Sequence, residues 1–305
     1  MNGDSFTKMK IMPEDFKSIL TLIDFSDASL HAADEAALIA SKFDSQLHLL
    51  HITDTTTPYL LLPEAYFLKI AGHYKHRIDS VAEELKKLAD DLNTRFGIEV
   101  QYYEAEGRLC ETINKYAHEL KADLLVLGVQ HEGWFKELFS KNKVKNIIKS
   151  AEAEVLCVYP ESNSNRLKKI VLPIGKFIPK RKIRLAYELA KKFAANVHLI
   201  SLNKNGSSLS SEDTKILMAS YQYLKDITNI PVECRTVPGS NLAQATVQYA
   251  ETIGADLILV NSGAESFFKN AVLGRWSGSI VDHSSIPVLS VHAINENTKH
   301  RQYRA

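Results

Sequence analysis

The sequence predicts an α/β protein made of two tandem five-stranded parallel sheets, each in the order 3-2-1-4-5 and flanked by helices. Three observations predict it. Apolar runs of strand length alternate with longer stretches of helical period, the signature of parallel βαβ units. The whole series of elements occurs twice, with letter-level similarity between the copies. The length of 305 residues exceeds a single core, so two domains of about 150 residues are expected. Hydrophobic residues at 45% and charged residues at 24% give each domain the material for a full core.

In the first copy, strands are expected near Ser18 to Asp24, Gln46 to Ile52, Ile98 to Glu104, Asp123 to Gly128 and Glu154 to Tyr159. Helices fall between them, near 28–43, 66–95, 109–120 and 140–150. The second copy repeats the strands near Lys169 to Ile174, Asn196 to Leu202, Pro231 to Val237, Asp256 to Val260 and Pro287 to His292. ASKFDSQLHLLHI from Ala40 aligns with AKKFAANVHLISL from Ala190, and INKYAHELKADLLVLG from Ile113 with VQYAETIGADLILVN from Val247. The polar, aperiodic ESNSNR, residues 161–166, is the expected linker between domains 1–160 and 167–305. The offset between copies falls from about 150 to 133, because the first carries a longer excursion from Thr53 to Asn93. Its apolar stretch TDTTTPYLLLPEAYF would suit a partner, a lid or packing on the other copy.

A net charge of +1 offers no broad positive surface for a phosphate backbone or an anionic bilayer, so nucleic acid and membrane are not expected as partners. Apolar runs such as Leu124 to Leu127 are far shorter than the roughly 20 residues that cross a bilayer. The start MNGDSFTKMKIMPEDFK reads as a short lead-in without an apolar signal core, and the tail ENTKHRQYRA as polar and frayed. With three cysteines, Cys110, Cys157 and Cys234, far apart and odd in number, a reducing, cytoplasmic setting is expected.

A doubly wound sheet binds ligands beyond the carboxyl ends of its strands, where the connections reverse direction. That switch point lies between strands 1 and 4 of each copy. In the first copy it brings together Asp24, Gly128 and the loop GVQHEGWFKELFSKNK. The sequence here resembles the universal stress protein family over both halves. The resemblance rests on the opening LTLIDFSDAS with Asp24 ending strand 1, the Ala-Asp-Leu entry to strand 4, the small-residue turns at Gly107 and Gly239, and the endings EVLCVYP and PVLSVH. It implies a Rossmann-like fold akin to that of the adenine nucleotide α-hydrolases, and an intrachain pseudo-dimer in place of the family's usual dimer, with a further homodimer open.

Members of the family that bind ATP carry a loop of Gly, two residues, Gly, nine residues, then Gly followed by Ser or Thr, beside an Asp at the end of strand 1. Such a loop lets backbone N–H groups approach phosphate oxygens where a Cβ would obstruct. At those places the first copy has Gly128, His131 and Lys141-Asn142, and the second has Asn261, Ala264 and Gly274-Arg275, with Gly175 in the place of Asp24. A shifted register through Gly263 and Gly278-Ser279 makes the spacing too long. The candidate cofactor-binding residues are thus Asp24, Gly128, His131, Gly274 and Arg275, in loops decayed from the ATP-binding pattern. Lys136, Lys141, Lys143 and Lys145 would neutralise a phosphate by charge, or form a solvated helix face. Asp24 reads either as a site residue or as a turn residue ahead of Ser26 and Asp27, the N-cap candidates. Trp134 and Trp276, both in these loops, would fill the space of a nucleotide or stack on a flat ligand.

His48 and His51, three apart in a strand, point to opposite faces and make no metal pair, while His198 repeats His48 in a shared packing role. His73 and His76 lack the companions of a metal motif. The basic run PKRKIR, Pro179 to Arg184, opposes the dipole of the helix it opens unless something acidic compensates, and reads either as an exposed, tolerated charge run or as a face for an acidic partner surface. GxGxxG, Walker, GxSxG and HExxH motifs do not occur in the chain. The expectation is a non-enzymatic tandem stress-response module that binds a protein partner or a small anionic ligand. The alternative is ATP held at one retained site in the first domain.

Overall fold

The computed structural model describes residues 15–54, 81–129, 141–160, 162, 167–203, 211–262, 280–281 and 284–292. The first half runs β1 (Ser18–Leu22), α1 (Asp27–Phe43), β2 (Gln46–Asp54), α2 (81–96), β3 (Val100–Gly107), α3 (Leu109–Glu119), β4 (Leu124–Gly128), α4 (Lys141–Ser150) and β5 (Glu154–Val158). The second runs β6 (Lys169–Pro173), α5 (Lys180–Phe193), β7 (Asn196–Asn203), α6 (Ser211–Ile227), β8 (Val232–Pro238), α7 (Leu242–Ile253), β9 (Leu257–Asn261) and β10 (Val288–Val291). Of the Thr53 to Asn93 excursion, residues 81–93 belong to α2, whose Leu85, Ala89 and Leu92 are buried against the sheet.

Each half has the expected internal order, but the two sheets are not separate. They merge into one ten-stranded sheet, β3-β2-β1-β4-β5-β10-β9-β6-β7-β8. Every pairing is parallel except the seam, where β10 lies antiparallel to β5 with Val288 opposite Cys157, Leu289 opposite Leu156 and Ser290 opposite Val155. The reason is physical: β5 and β10 would otherwise be edge strands whose residues are buried on both faces, with a row of backbone donors and acceptors unpaired. A twofold turn about an axis normal to the sheet brings the two edges together antiparallel, as observed.

The sheet is covered on both faces, and each apolar core runs across both halves. On one face α1, α2, α5 and α6 enclose Ile19, Leu49, Leu172 and Leu199. On the other, α3, α4 and α7 enclose Leu20, Leu127, Val171 and Ile258. The repeated Ala-Asp-Leu has a specific cause. Asp123 Oδ2 accepts the N–H groups of Lys17 and Ser18 at 2.8 and 3.1 Å, and Asp256 Oδ2 accepts those of Lys168 and Lys169 at 2.7 and 2.8 Å. Each carboxylate thereby satisfies the backbone where the first strand of its half enters beside the fourth.

Four residues join β1 to α1, against six for β6 to α5. Gly128, the last residue of β4, explains the shorter join. A Cβ there would stand 2.3 Å from the Ala28 carbonyl oxygen and 2.7 Å from the Ser29 nitrogen, so the first turn of α1 rests on the strand end itself. In the second half Asn261 holds that place, and the helix starts two residues later.

The seam is held at both ends, by an ion pair at one of them. Glu154, 3% exposed at the start of β5, pairs through Oε1 with Arg181 Nη2 at 2.5 Å and accepts the His292 N–H on Oε2 at 2.7 Å. Arg181 also donates to the His292 carbonyl at 3.1 Å. This is the acidic compensation that the PKRKIR run requires, and it comes from the other half of the same chain. At the far end of β5 the buried Tyr159 hydroxyl donates to the Val281 carbonyl at 2.6 Å.

His48 and His198 are both buried, as their shared place in the repeat predicts. His48 Nδ1 lies 3.3 Å from the Tyr103 hydroxyl, and His198 Nδ1 lies 3.1 Å from that of Tyr249. Burial holds both imidazoles below the ordinary histidine value, with Glu99 and Glu233 pulling the other way.

Three outcomes are expected. Gly128→Ala forces α1 off β4 and lowers unfolding stability by about 3 kcal/mol in urea titration. Arg181→Ala strands the buried Glu154 carboxylate and costs about 2 kcal/mol, the arginine being partly exposed, while Arg181→Leu combined with Glu154→Gln recovers at least half of that loss. For His48 and His198, folded values below the unfolded value mean that the unfolded chain binds more protons. Their contribution is fully present above about pH 6.5 and shrinks as pH falls through that value, by up to about 1.4 kcal/mol per unit for each ring. A urea midpoint that stays flat from pH 7.5 to 5, or that falls equally in a His48→Gln, His198→Gln variant, would contradict this.

Candidate functional site

The first-half switch point is built from the β1–α1 turn and the end of β4. Phe25 bridges it with a φ of 61°, a left-handed conformation that an aromatic residue rarely adopts, and its ring centroid lies 5.7 Å from that of His51. His51 Nδ1 in turn donates to the Ile23 carbonyl at 2.8 Å, which fixes the strand end beneath the turn. Asp24 Oδ1 accepts from the Ser26 N–H at 3.0 Å and from the Ser26 hydroxyl at 2.5 Å. Ser26 is the N-cap of α1 and accepts the Ser29 N–H at 3.2 Å. The Asp24 N–H donates to Ser29 Oγ at 3.3 Å, closing the network. Asp24 thereby supports the cap from within the turn. It keeps one feature of a binding residue: Oδ2 is buried with no hydrogen-bond partner among the described residues.

Gly128 sits at this switch point as predicted, but its missing Cβ makes room for the Ala28 carbonyl. His131 lies outside the described residues, as do Gly274, Arg275, Trp134, Trp276 and Lys136. Lys141, Lys143 and Lys145 fall in α4.

The second-half switch point has changed character. Gly175 replaces the carboxylate of Asp24, and Lys182 occupies the third helical position, where α1 has Ser29. Lys182 is 3% exposed, and its ammonium donates to the carbonyl of Pro173, the last residue of β6, at 2.7 Å. A cation thus sits buried at the strand end where a ligand would enter. In the sequence Lys182 stands inside the basic PKRKIR run. The periodicity carried the missing signal, because Lys182 falls on the stripe of Leu185, Ala186 and Leu189 that α5 turns to the core.

Nucleophile chemistry finds little support here. Ser262 Oγ lies 2.9 Å from His292 Nδ1, the separation of a nucleophile and its base. The serine is only 2% exposed, however, and Glu154 bonds the backbone of His292, not its ring. Burial pushes the Cys157 thiol up to about 12, which leaves it inert at neutral pH. Among the described residues no three His, Cys, Asp or Glu side chains come together as a metal site, and no helix is long and apolar enough to cross a membrane.

Comparison with known proteins gives this architecture a family. A universal stress protein of Methanocaldococcus jannaschii is 28% identical over 144 residues, spanning 47% of this chain and 82% of that protein. One from Synechocystis is 28% identical over 145 residues, 47% of this chain and 85% of its own length. The crystal structure of a universal stress protein from Archaeoglobus fulgidus matches 93% of this chain and 99% of its own at a TM-score of 0.68 and 14% identity, a likeness of fold. The universal stress protein family itself matches twice, over residues 15–159 and 166–292, and the chain belongs to it as a tandem member.

Proposed function

We propose that this protein is a non-enzymatic stress-response module that acts by binding a protein partner or a small anionic ligand, through a fold whose nucleotide-type switch points have been turned to structural use. The observation that carries this reading is the buried Lys182 ammonium on the Pro173 carbonyl. A charge fixed in that place, with Gly175 where the first half has Asp24, leaves the second half without the carboxylate and the close backbone approach that the ATP-binding pattern relies on. The first half supports the same reading, since Asp24 and Gly128 hold α1 against β1 and β4.

A second reading, one nucleotide site retained in the first half, has one observation in its favour: Asp24 Oδ2 is buried and would be satisfied by a ligand donor. Calorimetric titration of the full chain with ATP and magnesium, followed in parallel by emission from Trp134 and Trp276, separates the two. The expected outcome is no saturable binding tighter than about 1 mM, roughly 4 kcal/mol. Micromolar binding at two sites per chain would overturn the proposal. Binding at one site that Asp24→Ala weakens at least tenfold would establish the second reading, and binding indifferent to Asp24→Ala would remove its basis.

A further inference from the structure

His292 follows β10 and stands where the two halves meet. Its backbone is clamped by residues of both: the N–H donates to Glu154 of β5, and the carbonyl accepts from Arg181 of α5. Its ring lies against Ser262, which follows β9, and Nε2 is buried without a hydrogen-bond partner among the described residues. A proton added to this ring would face the Ala153 carbonyl and the Arg181 guanidinium.

We propose that the junction between the halves is an acid-responsive latch, in which protonation of His292 sets a second cation beside Arg181 and loosens the β5–β10 pairing. The surrounding charges favour this outcome. Glu154 is the carboxylate that touches the clamp, and both of its oxygens are engaged, one by Arg181 and one by the His292 N–H. The polar cavity of about 130 Å³ beside them is lined by Asp15, Asp123, Glu152 and Arg181, yet those carboxylates have other work. Asp123 holds the backbone of Lys17 and Ser18, Glu152 pairs at the surface with His118, and Asp15 lies by Lys17. Just beyond β9 the ring meets the neutral Ser262 hydroxyl.

The sign follows from the same contacts. Burial, and then the charge of Arg181, hold the His292 ring below its ordinary value, with the Ala153 carbonyl acting in the opposite direction. Opening the seam returns the ring to water, so the open state binds the proton more readily. The closed seam is fully favoured above about pH 6.5 and loses up to tenfold in stability per unit as pH falls below that value. The strand pairing at the joint is three residues long, with the Glu154–Arg181 clamp at one end and the Tyr159 hydroxyl on the Val281 carbonyl at the other, so the clamped end is expected to open locally below the energy of global unfolding.

The test is hydrogen exchange of the full chain from pH 7.5 to 5, corrected for intrinsic exchange rates. Protection of the β5 and β10 amides is expected to fall about tenfold per unit below pH 6.5, ahead of that of β2 and β7, where His48 and His198 reside. His292→Asn should abolish the excess loss at the seam and leave the response of the outer strands. NMR titration of the histidine rings in the unsubstituted chain keeps the test decisive even where that variant folds poorly. Seam loss with the midpoint of His292 supports the latch. Loss with the midpoints of His48 and His198, an identical profile in His292→Asn, or a seam unchanged by pH would overturn it.

Discussion

The antiparallel pairing of β5 with β10 is the constraint on which the rest of the molecule depends. A five-stranded parallel sheet with helices on both faces ends in a strand that is apolar on either side, so its open edge can be neither solvated cheaply nor left bare. Joining two such edges removes both liabilities at once. It also makes the two cores continuous, since Leu156 and Leu289 share one face of the sheet while Cys157 and Val288 share the other. The Tyr159 hydroxyl and the Glu154–Arg181 pair then seal the two ends of a joint only a few residues long.

Within that frame the two halves have diverged at one place, the turn between the first strand and first helix. Gly128 allows α1 to descend onto the end of β4, and the four-residue turn with Asp24, Ser26 and Ser29 is the tight connection that such an approach needs. The second half has Asn261 in that place and a six-residue turn. The longer turn there delivers Arg181 and Lys182, one outward to the seam and the other inward to the strand end. Charges that oppose the helix dipole are compensated by a carboxylate and a carbonyl from neighbouring strands.

Much of the fold was legible in the sequence because its signals are local. Apolar runs, helical periods and the two ADL strand entries each declare themselves within a dozen residues, and all ten strands stand within a few residues of where the pattern puts them. The seam was not legible, because β5 and β10 lie some 130 residues apart and antiparallel pairing leaves no mark on the pattern of either. At the site, Asp24 and Gly128 could be named from the strand ends that hold them, but not what their atoms do. Asp24 carries the same letters whether it caps a turn or receives a ligand. Lys182 was hidden by its neighbours, since a lysine inside a basic run reads as surface until the helical stripe is traced through it.

The one-sidedness of the Glu154–Arg181 pair reaches beyond stability. Arg181 is the second residue of its helix, a place that Ala28 fills in the first half, and Pro287 precedes β10 where Glu154 begins β5. Two first halves brought together on the same axis would bury two carboxylates with no guanidinium to meet them. Two second halves would set two arginines against prolines. The charges on the two sides of the joint are thus complementary between the halves and not within either one, so the pairing selects one half against the other.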